Sequence, residues 1–453
     1  MSTLNATLIL ETKPVGKLLL QYSIPAIIGM TVTSLYNIID SIFIGHGVGP
    51  LAISGLAITF PLMNLIIAFC TLFGIGGATI SSIFLGQKDT NKATRVLGNV
   101  TVLCIVFGIL FGGLTHLFLE PILRFFGASD ETLPYAYDFM AVLLYGNPLS
   151  FTFIGLNHLM RASGYPKKAM LTSLVTVFVN IILAPIFIFS LGWGIKGAAV
   201  ATLISQACGL LWILNHFFNK NSVIHFKRGI FHLDGRIISN ITSIGMSPFL
   251  MNVCSCIIVI ILNTSFQKYG GDYAIGAYGI VNRVVMLFVM IEVGLTQGMQ
   301  PIIGYNYGAL RMDRVLKTLR YAVTAGVGIM TFGFLMAEVF PGYIVAMFTD
   351  HSELTDMAKI GMRIVCVLYP LVGAQIVITN FFQSIGKAKV SIFLSLSRQL
   401  LFLIPGLLII PRFWGINGVW ASMPVADAVS VLVTLGTLFY FYRKGLFDSK
   451  RLV

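Results

Sequence analysis

Long apolar runs separated by short polar breaks occupy most of this chain. Twelve of them reach the roughly twenty residues that a helix needs to cross a bilayer. They lie near 18–45, 52–80, 96–119, 134–159, 168–190, 195–218, 240–266, 274–303, 320–340, 357–384, 390–411 and 416–442. The first follows a polar start, MSTLNATLILETKPVGK, and is too long for the apolar region of a signal peptide, so it predicts a retained helix.

Composition agrees with lipid as the main solvent. The 453 residues are 57% hydrophobic and 10% charged, with a mean hydropathy of +0.88. The net charge of +13 would otherwise suggest nucleic acid. Its placement argues against that, because most Lys and Arg fall in alternate breaks: Lys88, Lys92 and Arg95; Arg161, Lys167 and Lys168; Lys220, Lys227, Arg228 and Arg236; Arg311, Arg314 and Lys317; Lys387 and Lys389; Arg443 and Lys444. This bias puts those breaks and both termini in the cytoplasm, leaves contact with membrane lipid headgroups as a secondary role, and predicts no nucleic-acid partner. The six cysteines all lie in apolar runs and read as small buried hydrophobes. No His pair has metal-ligand spacing, and neither a nucleophile elbow nor paired carboxylates occur. We therefore expect no enzyme, metal or cofactor.

The two halves repeat at an offset of about 222 residues. WGIKGAAVA at Trp193 recurs as WGINGVWAS at Trp414, NP at Asn147 as YP at Tyr369, LAISGLAI at Leu51 as YAIGAYGI at Tyr273, and LGQKDTNKA at Leu85 as YGALRMDRV at Tyr307. SIPAII at Ser23 faces MSPFLM at Met246 with a slip of one. Six runs per half make the repeats parallel. The expected fold is an all-α membrane protein of twelve transmembrane helices in two six-helix bundles around a central cleft. Residues 1–218 form the N-terminal lobe, 219–236 a basic cytoplasmic linker, and 237–453 the C-terminal lobe. Two equivalent bundles meeting at a cleft suit an alternating-access transporter better than a channel or a receptor.

Ionisable residues deep in apolar runs are expensive and mark function by default. Asp40, Arg283, Glu292, Arg363, Arg398 and Asp427 lie in this way. Arg398 and Asp427 stand at similar depth and predict a structural ion pair. Glu292 is the rival partner for Arg398, and a direct part in coupling or substrate contact is the other reading of the set. Asp40, in LYNIIDSIFIG, is the one deep charge of the first half and has no Lys or Arg in reach along its six runs. A carboxylate so placed favours its neutral form until water, a cation or a basic substrate arrives. It reads as a proton carrier or monovalent-cation ligand, or else as a neutral acid capping a carbonyl. Pro25 and Gly29 earlier in the same run predict a hinge, with a static kink as the alternative. Tyr36, Asn180 and Thr202 lie at comparable depth and would line one pocket, or else serve as interhelical contacts.

YNIIDSIFIG, GGATISSIFLGQKD, NIILAPIFIF with GWGIKGAAVAT, QGMQPIIGYNYGA and SRQLLFLIP with GINGVWASMPVAD together resemble the multidrug and toxic compound extrusion (MATE) family over nearly the whole chain. The resemblance implies export of organic cations and drugs in exchange for protons or sodium, through the inner (plasma) membrane, without a cofactor. It assigns the coupling ion to Asp40, Asn180 and Thr202 and the bend to Pro25. Where many relatives carry an acid after NIxL, this chain has Ala184. Where the sodium-coupled branch has acids, it has Cys256 and Gly373. Where a related branch has Glu, it has Gln297, which joins Tyr36 and Glu292 as a cleft candidate. Protons are thus the expected coupling ion and organic cations the expected substrate, with the protein a monomer. Sodium-coupled export and a flippase for a lipid-linked saccharide are the alternatives.

Overall fold

The computed structural model describes residues 9–348 and 351–446; the outermost parts of the two expected lobes, 1–8 and 447–453, lie outside the described residues. Every regular element among those described is helical. In chain order they are α1 (Val15–Gly47), α2 (Pro50–Gly86), α3 (Thr90–Leu117), the short α4 (Leu119–Phe125), α5 (Leu133–Tyr145), α6 (Asn147–Ala162), α7 (Pro166–Pro185) and α8 (Gly194–Phe218). There follow α9 (Gly235–Gly271), α10 (Tyr273–Gly308), α11 (Met312–Val339), the short α12 (Pro341–Ala346), α13 (Ser352–Cys366), α14 (Tyr369–Ser384), α15 (Ala388–Ile409) and α16 (Pro411–Arg443). Ten of these helices are long and apolar enough to cross a membrane. The pairs α5–α6 and α13–α14 are bent by 61° and 51° respectively, and counting each pair as one span brings the number among the described residues to 12. Both bends fall at the repeated X–Pro dipeptide, Asn147–Pro148 and Tyr369–Pro370. Proline cannot supply the N–H that would carry the first helix straight into the second.

The repeat is also written in the backbone. Gly49 and Gly271, Gly164 and Gly386, and Gly194 and Gly415 all have positive φ, as do Lys88 and Leu310. In each WGI(K/N)G motif the glycine after Trp takes φ near +55° (57° and 54°), a region that costs a side chain about 1 kcal/mol or more. The motif therefore repeats because the turn into α8, and its equivalent within α16, needs glycine there.

The chain divides into two compact units. One contains Ile28–Phe249, the other Pro14–Ile27 and the chain from Leu250 onward. The first part of α1 thus packs in the second unit, and the first part of α9 in the first. Each changeover lies just past a repeated proline, Pro25 or Pro248. In the first unit α9 crosses α2 so closely that a Cβ at Gly245 would stand 1.8 Å from the Leu72 carbonyl oxygen, and one at Gly76 would stand 2.1 Å from that of Ile241. In the second unit the equivalent crossing brings Gly298 of α10 against Ser23 of α1, and Gly294 against Ile27.

Within the first unit α6 packs along α2 and α3, and α7 along α8. Phe69 of α2 gathers Phe107, Phe111, Phe151 and Phe249 around it at centroid separations of 4.9 to 6.5 Å. Residues 219–234 are folded onto the same unit. Asn99, fully buried on α3, donates from Nδ2 to the His232 carbonyl at 3.3 Å and accepts from the Asp234 N–H at 2.9 Å. Gly98 lies against the Ile230 carbonyl with no room for a Cβ. In the second unit the core centres on Trp420 of α16, packed between Phe266, Tyr278 and the glycine surface of Gly361.

Candidate functional site: a buried carboxylate and a polar triad in the first unit

Asp40 sits on α1 one turn beyond Tyr36. The residue is 7% exposed, and Oδ1 has no hydrogen-bond partner. It forms no ion pair among the described residues. The neutral-cap alternative would have Oδ1 or its proton on a neighbouring carbonyl, and no such bond forms at Oδ1.

The three polar residues expected nearby do meet. Thr202 of α8 donates its hydroxyl proton to the Ala198 carbonyl at 3.1 Å. That proton being used, the Tyr36 hydroxyl, 2.9 Å away, is the donor to Thr202 Oγ1. Asn180 Nδ2 of α7 donates to the same oxygen at 3.3 Å. One threonine oxygen therefore ties three helices together a turn from Asp40. Of the two roles weighed for these residues in the sequence, the hydrogen bonds show the interhelical contact. Ala184, one turn further along α7, is fully buried. After Pro185 the helix widens over Ile186–Ser190, where the Leu191 N–H reaches back five residues to the Ile186 carbonyl. Widened turns of this kind recur at functional sites.

Pro25 and Gly29 bracket the changeover of α1 between units at Ile27 and Ile28. The helix itself runs unbroken from Val15 to Gly47. At Gly29 the backbone carbonyl accepts the Thr33 hydroxyl at 2.8 Å in addition to its helical bond. Pro25 cannot donate to Gln21, so the ladder is thin where the helix leaves one unit for the other.

In the second unit Arg398 pairs with Asp427. Arg398 Nε donates to Asp427 Oδ1 at 2.5 Å, with Asp427 almost fully buried. Arg398 lies in the widened stretch Ser397–Leu403 of α15 that precedes Pro405. Glu292, the rival partner, is fully buried on α10 with both carboxylate oxygens unpartnered, and Oε1 lies over Gly326 of α11. Gln297, one and a half turns on, is half-buried and partnered within the structure. Arg283 and Arg363, deep by sequence position, are exposed on their helices, and Arg363 Nε stands 3.7 Å from Glu338. Apolar run length locates a residue along a helix but not around it, so depth in the sequence leaves exposure open. Cys256 Sγ bonds the Asn252 carbonyl at 3.5 Å. Gly373 lies against the Gly326 carbonyl, where a Cβ would stand 2.5 Å from the oxygen.

Two polar features escaped sequence reasoning. Arg161, counted with a cytoplasmic break, is only 8% exposed at the end of α6 and donates to Asn157 Oδ1 at 3.3 Å. Gln375 of α14 donates to Ser430 of α16. Asn157 and Gln375, polar residues within apolar stretches, were the available signals.

The chain matches the MatE family model over residues 25–186 and 244–408, which together take in both halves of the repeat. It is similar to the multidrug export protein MepA of Staphylococcus haemolyticus (strain JCSC1435), 28% identical over 98% of this chain and 97% of that protein. MepA of Staphylococcus aureus (strain NCTC 8325 / PS 47) is likewise 28% identical, over 98% of each chain. Among solved structures, the MATE multidrug transporter DinF-BH superposes with a TM-score of 0.88 at 34% identity, covering 96% of this chain and 97% of that one. A MATE protein in the bent conformation has a TM-score of 0.92 at 24% identity, covering 99% of each chain, and shows the shared fold. With paired helical repeats matched across both halves, the chain belongs to the MATE family: it is a multi-pass membrane transporter and not an enzyme.

Proposed function

We propose that this transporter exports organic cations and drugs across the plasma membrane in exchange for protons, by alternating access, with Asp40 as the group that takes up and releases the coupling proton. Both termini are cytoplasmic in this reading, as the basic breaks require, and the working unit is a monomer. The observation that carries the proposal is the buried Asp40 carboxylate whose Oδ1 has no partner, one turn from the Tyr36–Thr202–Asn180 cluster. An ionised carboxylate buried without a counter-charge is costly, so binding a proton or a cation there is coupled to the state of the helix around it. The MepA proteins and DinF-BH, by their names, handle multiple drugs, which supports the substrate class.

Protons suit the site better than sodium. Both lone pairs of Thr202 Oγ1 are taken by Tyr36 and Asn180, and its proton by Ala198. It has no lone pair to spare for a metal ion. Gly373 has no space for a carboxylate beside Gly326. Pro25 and Gly29, flanking the point where α1 changes unit, supply the place where protonation alters the helix. The test is ethidium efflux from proteoliposomes with proton and sodium gradients imposed separately. Efflux driven by a pH gradient at zero sodium is expected. Efflux that requires sodium and ignores the pH gradient overturns the proton reading while leaving the transporter class intact.

A further inference from the structure

At the polar end of α3 the folded segment 219–234 roofs a cavity of about 530 Å³ whose lining includes Asp89, Asn91, Lys92, Arg95, Lys227 and Arg228. Lys227 and Arg228 are exposed and form no ion pair among the described residues. Lys92 and Arg95 keep 59% and 61% of their side-chain surface open. The two acids close by are already committed. Asp89 Oδ1 accepts the Lys92 N–H at 2.9 Å, which caps the start of α3, and its Oδ2 meets Lys92 Nζ at 3.0 Å. Asp234 Oδ1 accepts the Arg236 and Ile237 N–H groups at 2.9 and 3.4 Å, which caps the start of α9. Each acid thus offsets the partial positive charge of a helix start. Lys92 is thus paired with Asp89, and Arg95 Nη1 stands 4.0 Å from Asp234 Oδ2, so the excess of cation around the space comes from Lys227 and Arg228, which no described acid of this unit pairs.

The arrangement is built rather than incidental. Asn99 holds the segment from both its amide and its carbonyl oxygen, to His232 and Asp234. Gly98 admits the Ile230 backbone to a contact that a side chain would block. Phe226 is anchored by its N–H to the Phe217 carbonyl at 2.9 Å and by ring contacts with Phe217, Phe218 and Phe231. The segment between these anchors, Lys227–Ile230, is therefore held facing Lys92 and Arg95.

We infer that this cavity is a binding site for a phosphate-bearing anion, which at the polar end of a membrane helix is the headgroup of an anionic phospholipid. A phosphate offers several acceptor oxygens to the guanidinium forks of Arg95 and Arg228, while Lys92 and Lys227 add point charge. A zwitterionic headgroup carries its own cation into the same basic space and is disfavoured there. Occupancy clamps the segment to α3, so lipid composition would bear on the stability of the first unit.

The test uses the full chain purified in detergent and native mass spectrometry with phosphatidylglycerol, phosphatidylcholine or inorganic phosphate added. The variants are Lys227→Gln/Arg228→Gln in the roof and, as a control on surface charge elsewhere, Arg311→Gln/Lys317→Gln. Ethidium efflux and thermal melts verify that both variants are folded. The wild type is expected to hold phosphatidylglycerol more tightly than phosphatidylcholine, with the roof variant weakened about tenfold or more and the control unchanged. Tight binding of inorganic phosphate that displaces phosphatidylglycerol and is lost in the roof variant upholds the site with a soluble anion as its occupant. Equal loss in both variants, or none in the roof variant, overturns the inference.

Discussion

Arg398 Nε donates to Asp427 Oδ1 at 2.5 Å, joining the widened turn of α15 to the middle of α16. Arg398 retains a third of its side-chain surface, whereas Asp427 is 3% exposed, so loss of the arginine strands the more buried charge. Arg398→Ala is expected to lower stability by about 3 kcal/mol, the low end for a broken buried pair because the arginine is partly solvated. Arg398→Ala/Asp427→Ala should recover much of that loss. Thermal melts of the singles and the double in one detergent decide the matter: strict additivity of the two losses would mean that the pair contributes nothing as a pair.

Asp40→Asn should abolish coupled efflux and leave the fold in place. The substitution keeps shape and removes only the titrating group, and no base loses a partner, so stability should stay within about 1 kcal/mol of wild type. The readout is dye accumulation in cells with expression matched. Resistance equal to wild type would show that coupling resides elsewhere. Asp40→Glu should retain efflux with a shifted pH profile.

Thr202→Val removes the oxygen that Tyr36 and Asn180 share. Asn180, buried, and Tyr36, half-buried, then lose their acceptor, and the buried amide alone loses about 1–3 kcal/mol if no water replaces it. The expectation is a lower melting temperature together with slowed efflux. Thr202→Ser keeps the oxygen and should restore both.

Gly373→Asp places an acid at the position where the sodium-coupled branch of the family has one, yet it should not confer sodium dependence. The new side chain would begin 2.5 Å from the Gly326 carbonyl oxygen, so α11 and α14 must separate first. A drop in thermal stability of about 2–3 kcal/mol is expected, with efflux still following the pH gradient. Sodium-driven efflux by this variant would refute the packing argument.

The two glycine environments predict opposite signs. Gly245→Ala drives a Cβ to within 1.8 Å of the Leu72 carbonyl oxygen and should destabilise by about 3 kcal/mol or more. Gly113→Ala, on α3 with nothing within 4 Å, should be neutral or stabilising by up to about 1 kcal/mol, because alanine restricts the unfolded chain and favours helix. Melting curves of the two variants, measured side by side, test both.

Run length and repetition were enough to read the architecture class from the chain. Lipid imposes a minimum apolar length on each helix, and a duplicated unit must reuse the same turns. Twelve runs and paired motifs such as Trp193–Gly194 and Trp414–Gly415 therefore announced the helices and their duplication. The isolation of Asp40 was legible for a similar reason, since a missing basic partner is a property of composition along six runs. The direction each side chain faces was not legible, because it depends on rotation about a helix whose neighbours are distant in sequence. So the exposure of Arg283 and Arg363 was not readable from their depth, Arg161 read as a loop residue and is buried, and Glu292 was a rival for Arg398 until packing gave that partner to Asp427. The exchange of helix beginnings was equally hidden. The start of α1 joins α10 and the start of α9 joins α2 only because Gly298 and Gly294, like Gly76 and Gly245, let two backbones touch. That contact is a pairing of surfaces made far apart in the chain, which tertiary packing alone decides.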